Sequence, residues 1–168
     1  MKQVNKMTQL TCSDTEIVTT HRILSADLNE HGTLFGGRLL SIVDAEASIA
    51  ALRVAKQTVV TATIDHVNFQ QPFHLGDAME MHATVVHLGQ RSIEVFVKVL
   101  RENLTAGQRE VAFTACLLYV VADHNFVMPV DEIIPETASQ RYLVATAAQR
   151  QQARQLMRAT NLELSKRI

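Results

Sequence analysis

Two kinds of group that could bind or react with a small molecule lie close together in one stretch of the chain. Gly36 and Gly37 open a segment rich in Ala, Leu and Ile, and Asp44 follows the second glycine by seven residues. Free N–H groups at the start of a helix can bind an oxyanion or a phosphate. A carboxylate among apolar neighbours is costly unless it is hydrogen-bonded. The combination indicates a polar site on a helix, and the alternatives are a plain turn at the glycines and a structural hydrogen bond for Asp44.

A long helix must position these groups. The segment after Gly37 is rich in residues of high helix propensity and has no Gly or Pro until Pro72. We therefore predict a helix from about Gly37 to about Lys56, roughly 30 Å long. Its apolar residues run nearly all the way round, which predicts burial on nearly all sides. Because one sheet covers only one side of a helix, the pattern suggests a second subunit.

The composition excludes several classes of protein. The chain has 168 residues, of which 47% are hydrophobic and 20% charged, and its formal net charge is −1. These values predict one domain with a sizeable core and no nucleic-acid partner. Cys12 and Cys116 lack metal-ligand spacing, so we expect no metal site. The first twenty residues contain no apolar signal segment, and no apolar run is long enough for a membrane span, so we expect a cytoplasmic protein without a membrane partner.

Five segments rich in β-branched residues accompany the predicted helix. One precedes it at residues 16–24, and four follow at 58–69, 78–88, 92–100 and 110–121. Short connections between the last four predict antiparallel pairing, and hence an α+β fold. We predict a flexible N-terminus at residues 1–14, one domain at 15–135 and a C-terminal helical extension at 136–168.

Five groups of residues form one pattern along the chain: Asp27–Leu40 with Asp44, Val60–Ala62, Asn68–Phe69 with Pro72, Gly76–Asp77, and Gly89–Val95. This pattern resembles the hotdog-fold acyl-CoA thioesterases. The similarity is to the branch that holds the bacterial short- and medium-chain acyl-CoA hydrolases and the brain acyl-CoA hydrolase, and it covers roughly residues 15–130. It implies a long central helix wrapped by a five-stranded antiparallel sheet. It also implies hydrolysis of acyl-CoA to a fatty acid and coenzyme A, with no cofactor.

The resemblance implies two catalytic side chains, an Asn in the loop before the helix and an acidic residue within the helix. They match Asn29 and Asp44. Asp44 fits a general base for the attacking water or a direct nucleophile that forms a mixed anhydride, and both roles stay open. The N–H group of Gly37 fits an oxyanion donor. Two alternatives stand beside these assignments: Asn29 as a turn cap, and His31 as the base, which the family does not require.

The resemblance also implies residues that bind the substrate. Arg91 and Ser92 match a segment associated with the phosphate end of coenzyme A, and an Arg suits phosphate as a forked donor. The alternative is a hairpin Arg in water. Asn68 is expected along the pantetheine path, and Gly36 beside Gly37 at the oxyanion. The family implies a homodimer that often assembles into a trimer of dimers, a hexamer.

Helix geometry predicts an active site shared by two chains. Gly37 and Asp44 lie about 10 Å apart along one helix axis. A base and an oxyanion donor that serve one carbonyl must each lie within about 3 Å of reacting atoms. Two antiparallel helices related by a two-fold axis satisfy this requirement.

Two other functions fit the same fold. A non-catalytic acyl-CoA sensor would need a DNA-binding helix pair, for which the polar residues 1–14 are too short. A hotdog dehydratase would need a catalytic His on the helix, which has none.

Overall fold

The computed structural model describes residues 8–167, which form seven strands and four α-helices. In chain order the elements are β1 (Gln9–Thr11), α1 (Cys12–Thr15), β2 (Ile17–Arg22), α2 (Gly36–Ala55), β3 (Val59–Phe69), β4 (Ala78–Leu88), β5 (Ser92–Asn103), β6 (Gln108–Val121), β7 (Glu132–Ile134), α3 (Ala138–Ala145) and α4 (Ala147–Ser165).

Five strands form one antiparallel sheet in the order β2-β4-β5-β6-β3. Tight turns join β4 to β5 and β5 to β6, whereas β3 lies at the far edge beside β6. Helix α2 packs on one face of this sheet, which we call the inner face. The predicted α+β arrangement of one long helix and a five-stranded antiparallel sheet is confirmed. Among residues 8–167, no helix combines the length and apolar character that crossing a membrane requires.

Helix α2 buries one side against the sheet and leaves the other side open. Its buried positions are Leu39, Val43, Ala47, Ala50, Ala51, Val54 and Ala55. On the opposite side Ser41, Ala45 and Leu52 are exposed. The expectation that one sheet would leave part of this apolar helix uncovered therefore holds for the single chain. The helix ends at Lys56, whose backbone adopts a left-handed conformation with φ of 54°.

Part of the segment predicted to be a flexible N-terminus forms regular structure in the described residues. Residues 1–14 were expected to be flexible, yet β1 pairs in parallel with β7, and Thr11 caps α1 through a capping box with Asp14. Cys12 is buried. A polar three-residue strand finds its partner 123 residues away, which local sequence does not reveal. Residues 1–7 lie outside the described residues.

The C-terminal helical extension packs on the outer face of the sheet, opposite α2. Thr146 separates α3 from α4, and its backbone N–H donates to the Tyr142 carbonyl near the end of α3. Ala147 and Arg150 are buried, whereas most positions after Gln151 are exposed. The first half of the predicted helical extension is therefore anchored on the sheet of this chain.

Candidate active site

The N-terminus of α2 presents unpaired backbone donors. Phe35 is the N-cap residue and makes no side-chain cap hydrogen bond. The first N–H of this helix to donate to a backbone carbonyl is that of Leu39, to Phe35 at 3.0 Å. Within residues 8–167, the N–H groups of Gly36, Gly37 and Arg38 have no acceptor. This end of the helix can therefore bind an oxygen anion.

Glycine at position 37 keeps these donors open. A Cβ atom built there would lie 2.7 Å from Cε1 of the Phe35 ring, so any side chain would displace that ring. At Gly36 the corresponding Cβ would lie 3.6 Å from Cε1 of Phe69, which is ordinary contact. The two glycines thus allow an approaching group to reach the helix terminus between two aromatic rings.

An open cleft of about 280 Å³ lies beside this helix terminus. Phe69 forms one wall and packs edge-on against Phe113, with ring centroids 5.1 Å apart. The walls are mainly apolar, and the polar N–H groups of α2 lie at one end. The arrangement suits a ligand with an apolar body and one polar carbonyl. Lining residues include Thr33, Leu34, Gly36, Leu39, Phe69 and Phe73.

Asp27 fixes the loop that precedes α2. Its carboxylate accepts hydrogen bonds from the Leu24 N–H (3.0 Å) and from Nε of Arg38 (2.9 Å), and it contacts Nε2 of His21 (3.1 Å). The Leu24 N–H, followed by Arg38 and His21, outweighs burial and lowers the pKa of Asp27 to about 2. The Asp27 carbonyl accepts the Phe35 N–H at 2.9 Å. Asp27 therefore contacts both the start of the loop, at Leu24, and its end, at Phe35.

Asn29 lies within this loop and caps a turn. Its Oδ1 accepts the N–H groups of His31 (2.9 Å) and Thr33 (3.1 Å), and its Nδ2 donates to Oγ1 of Thr33 (3.1 Å). The turn-cap alternative therefore describes its contacts in the single chain. The amide still has a second N–H on Nδ2. His31 is exposed and pairs with Glu30 at 3.3 Å.

Asp44 lies half-buried in the middle of α2, and β3 orients it. Oγ1 of Thr61 donates to Oδ1 of Asp44 at 2.7 Å. The hydroxyl of Tyr119 donates to the backbone carbonyl of Asp44 at 2.9 Å. Burial, with a contribution from the Asp44 charge, raises the pKa of Tyr119, so the hydroxyl stays a donor. Sequence reasoning assigned no role to Thr61 or Tyr119, because each lies far from Asp44 along the chain.

The substrate-binding candidates lie at two different ends of the sheet. Arg91 donates through Nη1 to the carbonyls of Val121, Ala122 and Asp123, at 3.3 to 3.5 Å. Ser92 pairs with Val120, and Val121 pairs with Val59 at the start of β3. Gly36 and Phe69 lie at the other end of β3.

Asn68 does not line the cleft in this chain. It pairs with Thr114, whose neighbour on β5 is Lys98, on the outer face of the sheet. It is exposed on the edge strand. In the single chain Gly36 lines the cleft, and Asn29 holds Thr33, another residue of the cleft wall. Asp44, Asn68, Arg91 and Ser92 are not among the lining residues of this cleft.

One group of side chains in residues 8–167 has metal-ligand spacing. Donor atoms of Asp65, His66 and Cys116 lie within 4.8 Å of one another. Arg154 forms an ion pair with the Asp65 carboxylate. Burial raises the pKa of the Cys116 thiol to about 12. A cation would compete with a guanidinium and would need a thiolate that this site disfavours, so the group fits an ion-pair cluster better than a metal site.

An antiparallel sheet around one long helix, with an uncapped glycine terminus and a carboxylate on that helix, defines the hotdog class of proteins. The Thioesterase superfamily matches residues 31–107. The chain is 41% identical over 140 residues to the uncharacterized acyl-CoA thioester hydrolase YkhA of Bacillus subtilis, covering 83% of this chain and 81% of YkhA. The chain belongs to the acyl-CoA thioester hydrolases of the Thioesterase superfamily.

Two solved structures extend this comparison. An acyl-CoA hydrolase from Staphylococcus aureus, in complex with butyryl coenzyme A, coenzyme A and coenzyme A disulfide, has a TM-score of 0.85 at 28% identity and covers 94% of this chain and 97% of its own. Acyl-CoA hydrolase from that organism has also been solved as variants with one Asp, one Thr or one Asn replaced by alanine. An apo-hexameric acyl-CoA thioesterase has a TM-score of 0.84 at 33% identity, over 91% of this chain and 99% of its own.

Proposed function

We propose that this acyl-CoA thioester hydrolase uses Asp44 as its general base and the N-terminus of α2 as its oxyanion site. The observation that carries the proposal is that α2 presents both groups: free N–H groups at Gly36 and Gly37, and a carboxylate held by Thr61 at 2.7 Å. Acyl-CoA supplies an apolar chain that suits the cleft and a carbonyl that suits the helix terminus. Among the alanine variants of the S. aureus enzyme are the residue types of Asp44, Thr61 and Asn29, which supports the assignment.

The proposed reaction is the attack of water on the thioester carbonyl. The Asp44 carboxylate takes a proton from water as its oxygen bonds to the carbonyl carbon. The carbonyl electrons move to oxygen, and the N–H group of Gly37, aided by Gly36, stabilises the negative charge. Collapse breaks the carbon–sulfur bond, and the departing thiolate takes the proton from Asp44. Asn29 uses its remaining N–H to position the water or the carbonyl.

The direct test of the base is Asp44→Asn, with Glu46→Gln as the matched control on the same helix. We expect Asp44→Asn to keep the fold and to lower kcat by a factor on the order of 10² or more, as for a lost general base. The control should stay within about twofold of wild type, because Glu46 makes no contact with Asp44 or Thr61. Wild-type turnover of a folded Asp44→Asn protein would remove Asp44 from the mechanism.

The measured reaction is thiol release from a panel of acyl-CoA esters of different chain length. Binding of acyl-CoA by the wild-type protein without any thiol release would indicate an acyl-CoA sensor instead. The nucleophile alternative for Asp44 predicts an acyl group on this residue, which rapid quenching and mass spectrometry would detect. An unmodified Asp44 during turnover supports the general-base role.

We further propose that each active site is formed by two chains. Gly37 and Asp44 of one helix are about 10 Å apart, so a single chain does not bring both to one carbonyl. The open side of α2 carries Ser41, Ala45 and Leu52, and small residues allow a second helix to approach. At the sheet edge, the eleven-residue strand β3 pairs with β6 on one side only, so its other side can pair with a second strand.

Antiparallel pairing of two β3 strands would also bring the coenzyme A candidates to the cleft. The Val59 end of one strand would lie beside the Phe69 end of the other. Arg91 and Ser92 lie at the Val59 end, and Gly36 lies at the Phe69 end. The adenine-nucleotide end of the substrate would thus meet Arg91 of one chain while its thioester lies in the cleft of the other, and Asn68, on the shared edge, would border the pantetheine path.

Mixing inactive subunits tests the shared site. Asn29→Ala and Asp44→Asn chains, dissociated and reassociated together, should regain up to about half of the per-site activity, because a two-fold dimer has two sites. No regain, with subunit exchange confirmed, would place the whole site within one chain. The hexameric relative supports a trimer of dimers as the larger assembly, and sedimentation measures it.

Arg91→Ala tests the coenzyme A contact. If Arg91 binds a phosphate, the substitution should raise KM for acyl-CoA far more than for an acyl-pantetheine that lacks the nucleotide. Equal effects on the two substrates would show that its carbonyl contacts at the end of β6 are its only role.

A further inference from the structure

The edge strand β3 contains an extra residue close to the cleft. Asp65 pairs with Cys116 and Asn68 pairs with Thr114, so three steps on β3 face two steps on β6. This is a β-bulge. Its second residue, His66, has φ of 51°, a left-handed conformation that is uncommon for a non-glycine residue. Such a conformation persists only where the surroundings hold it.

The bulge decides which face of the sheet Phe69 occupies. Side chains alternate between faces along a strand, so two residues four positions apart normally share a face. Asp65 lies on the outer face, where it pairs with Arg154. Phe69 lies on the inner face against Phe113, within 3.6 Å of the Cβ position at Gly36. The one extra residue between Asp65 and Phe69 shifts the alternation of side chains by one position. It therefore places the Phe69 ring on the inner face, at the cleft.

Arg154 of α4 fixes the residue at which the bulge begins. Its Nε donates to Oδ2 of Asp65, and its Nη2 contacts Oδ1 of Asp65 at 3.3 Å and donates to Oε1 of Glu94. Glu94 is fully buried and also accepts Nε of Arg150 at 2.6 Å. Asp65 contacts Nδ1 of His66 at 2.6 Å. The guanidinium is therefore held by a buried partner and in turn holds the bulge.

We propose that Arg154 is a positioning residue for thioester hydrolysis, acting from the C-terminal extension across the sheet. By holding Asp65 it fixes the bulge, and the bulge places Phe69 at Gly36 and the cleft. This inference rests on the proposed function of the cleft. Arg154 itself contacts neither the cleft nor Asp44. The C-terminal extension is thus part of the architecture that shapes the substrate site.

The test compares Arg154→Ala with Arg158→Ala, one helical turn further along α4. Arg158 is exposed and has no ion pair within residues 8–167. We expect Arg154→Ala to raise KM for acyl-CoA on the order of 10-fold, the scale of a misplaced binding group. Its kcat should change by less than about threefold, because Thr61, which holds Asp44, lies on β3 before the bulge. Arg158→Ala should behave as wild type, and Arg154→Lys should recover part of the affinity.

A double-mutant cycle separates positioning from general destabilisation. Phe69→Ala alone should raise KM to a similar extent, and adding Arg154→Ala to it should add little, because both changes remove the same placement of the ring. Additive effects, or a wild-type KM in Arg154→Ala, would overturn the proposal. If Arg154→Ala does not fold, Asp65→Asn takes its place in the same cycle.

Hydrogen exchange supplies a readout that does not depend on activity. Amides of residues 65–70 should exchange faster in Arg154→Ala and at the wild-type rate in Arg158→Ala. A wild-type protein without thioesterase activity would refute the proposed function while this exchange difference remained measurable. Unchanged exchange in Arg154→Ala would refute the role of Arg154 while the proposed function stood.

Discussion

The two faces of the five-stranded sheet each contain fully buried side chains, but they are covered by opposite chemistry. On β5, Val95 and Val97 face α2 and are 0% exposed, and Glu94, the residue before Val95, faces α4 and is also 0% exposed. The inner face packs apolar side chains against an apolar helix. The outer face packs a carboxylate against two guanidinium groups from a helix that is otherwise polar and exposed.

This difference shows that burial alone does not identify what holds an element in place. Apolar contacts on the inner face each contribute independently, roughly in proportion to the area removed from water. A buried ion pair contributes little when complete, and it is costly when one partner is lost. The inner face should therefore tolerate small changes, whereas the outer face should respond sharply to the loss of one charge.

Arg150→Ala, on the outer face, should cause the largest loss of stability among these variants. Arg150 contacts Glu94 through both Nε and Nη2 and also donates to the Leu143 carbonyl. We expect its loss to lower the free energy of unfolding by about 3 kcal/mol, since a buried carboxylate keeps only part of its compensation. Urea unfolding of this variant and of Arg158→Ala measures the difference. A loss below about 1 kcal/mol would mean that the Glu94 cluster is as well solvated as a surface pair.

Asp27, in the loop that leads to α2, is a buried charge outside the Glu94 cluster, and pH tests it. Its folded-state pKa of about 2 lies below its ordinary value. Its stabilising contribution is therefore complete above about pH 5 and is lost as the pH falls through about 2, by on the order of 2 kcal/mol. Acid unfolding of wild type should show this loss, and Asp27→Asn should lack it. Parallel acid transitions in the two proteins would contradict the assignment.

Thr61→Val tests a polar contact of the inner side that the proposed mechanism uses. The substitution keeps the volume and removes the hydrogen bond to Oδ1 of Asp44. We expect kcat to fall roughly 10-fold, the equivalent of about 1.4 kcal/mol, with little change in stability. Thr63→Val on the same strand is the control and should leave kcat unchanged. If both variants lose activity equally, the effect belongs to the strand and not to Asp44.

Tyr119→Phe should give the smallest effect. The ring stays buried on the inner face, and only the hydrogen bond from its hydroxyl to the Asp44 carbonyl is removed. We expect a loss of about 1 kcal/mol in the free energy of unfolding. A loss as large as that in Arg150→Ala would show that the inner face also depends on single polar contacts.

The same contrast explains what the sequence could predict. The bounds of α2 and of the five sheet strands follow closely from helix propensity, β-branched runs and turns, all of which are local. The position of Asp44 on α2 follows from spacing. In contrast, Glu94 looks like an ordinary outward-facing residue of an alternating strand, because its partner Arg150 lies 56 residues away.

The features that the sequence does not predict depend on contacts between segments that lie far apart along the chain. The hydrogen bond from Thr61 to Asp44 and the parallel pairing of β1 with β7 join segments with no common local pattern. The bulge at His66 has no glycine to indicate a left-handed residue. Arg91 was predicted from the resemblance to bind phosphate, and its contacts with three carbonyls depend on where β6 ends.

The ion pair between Glu94 and Arg154 also sets an order of events during protein synthesis. The two residues are 60 positions apart, so at 5–20 residues per second the ribosome makes Arg154 roughly 3–12 s after Glu94. For nearly all of that interval the nascent sheet has a carboxylate on its outer face and neither guanidinium to neutralise it, because Arg150 is made only four residues before Arg154. The sheet therefore cannot close on that side until α4 has been synthesised, and a growing chain should remain a substrate for chaperones until that helix is available.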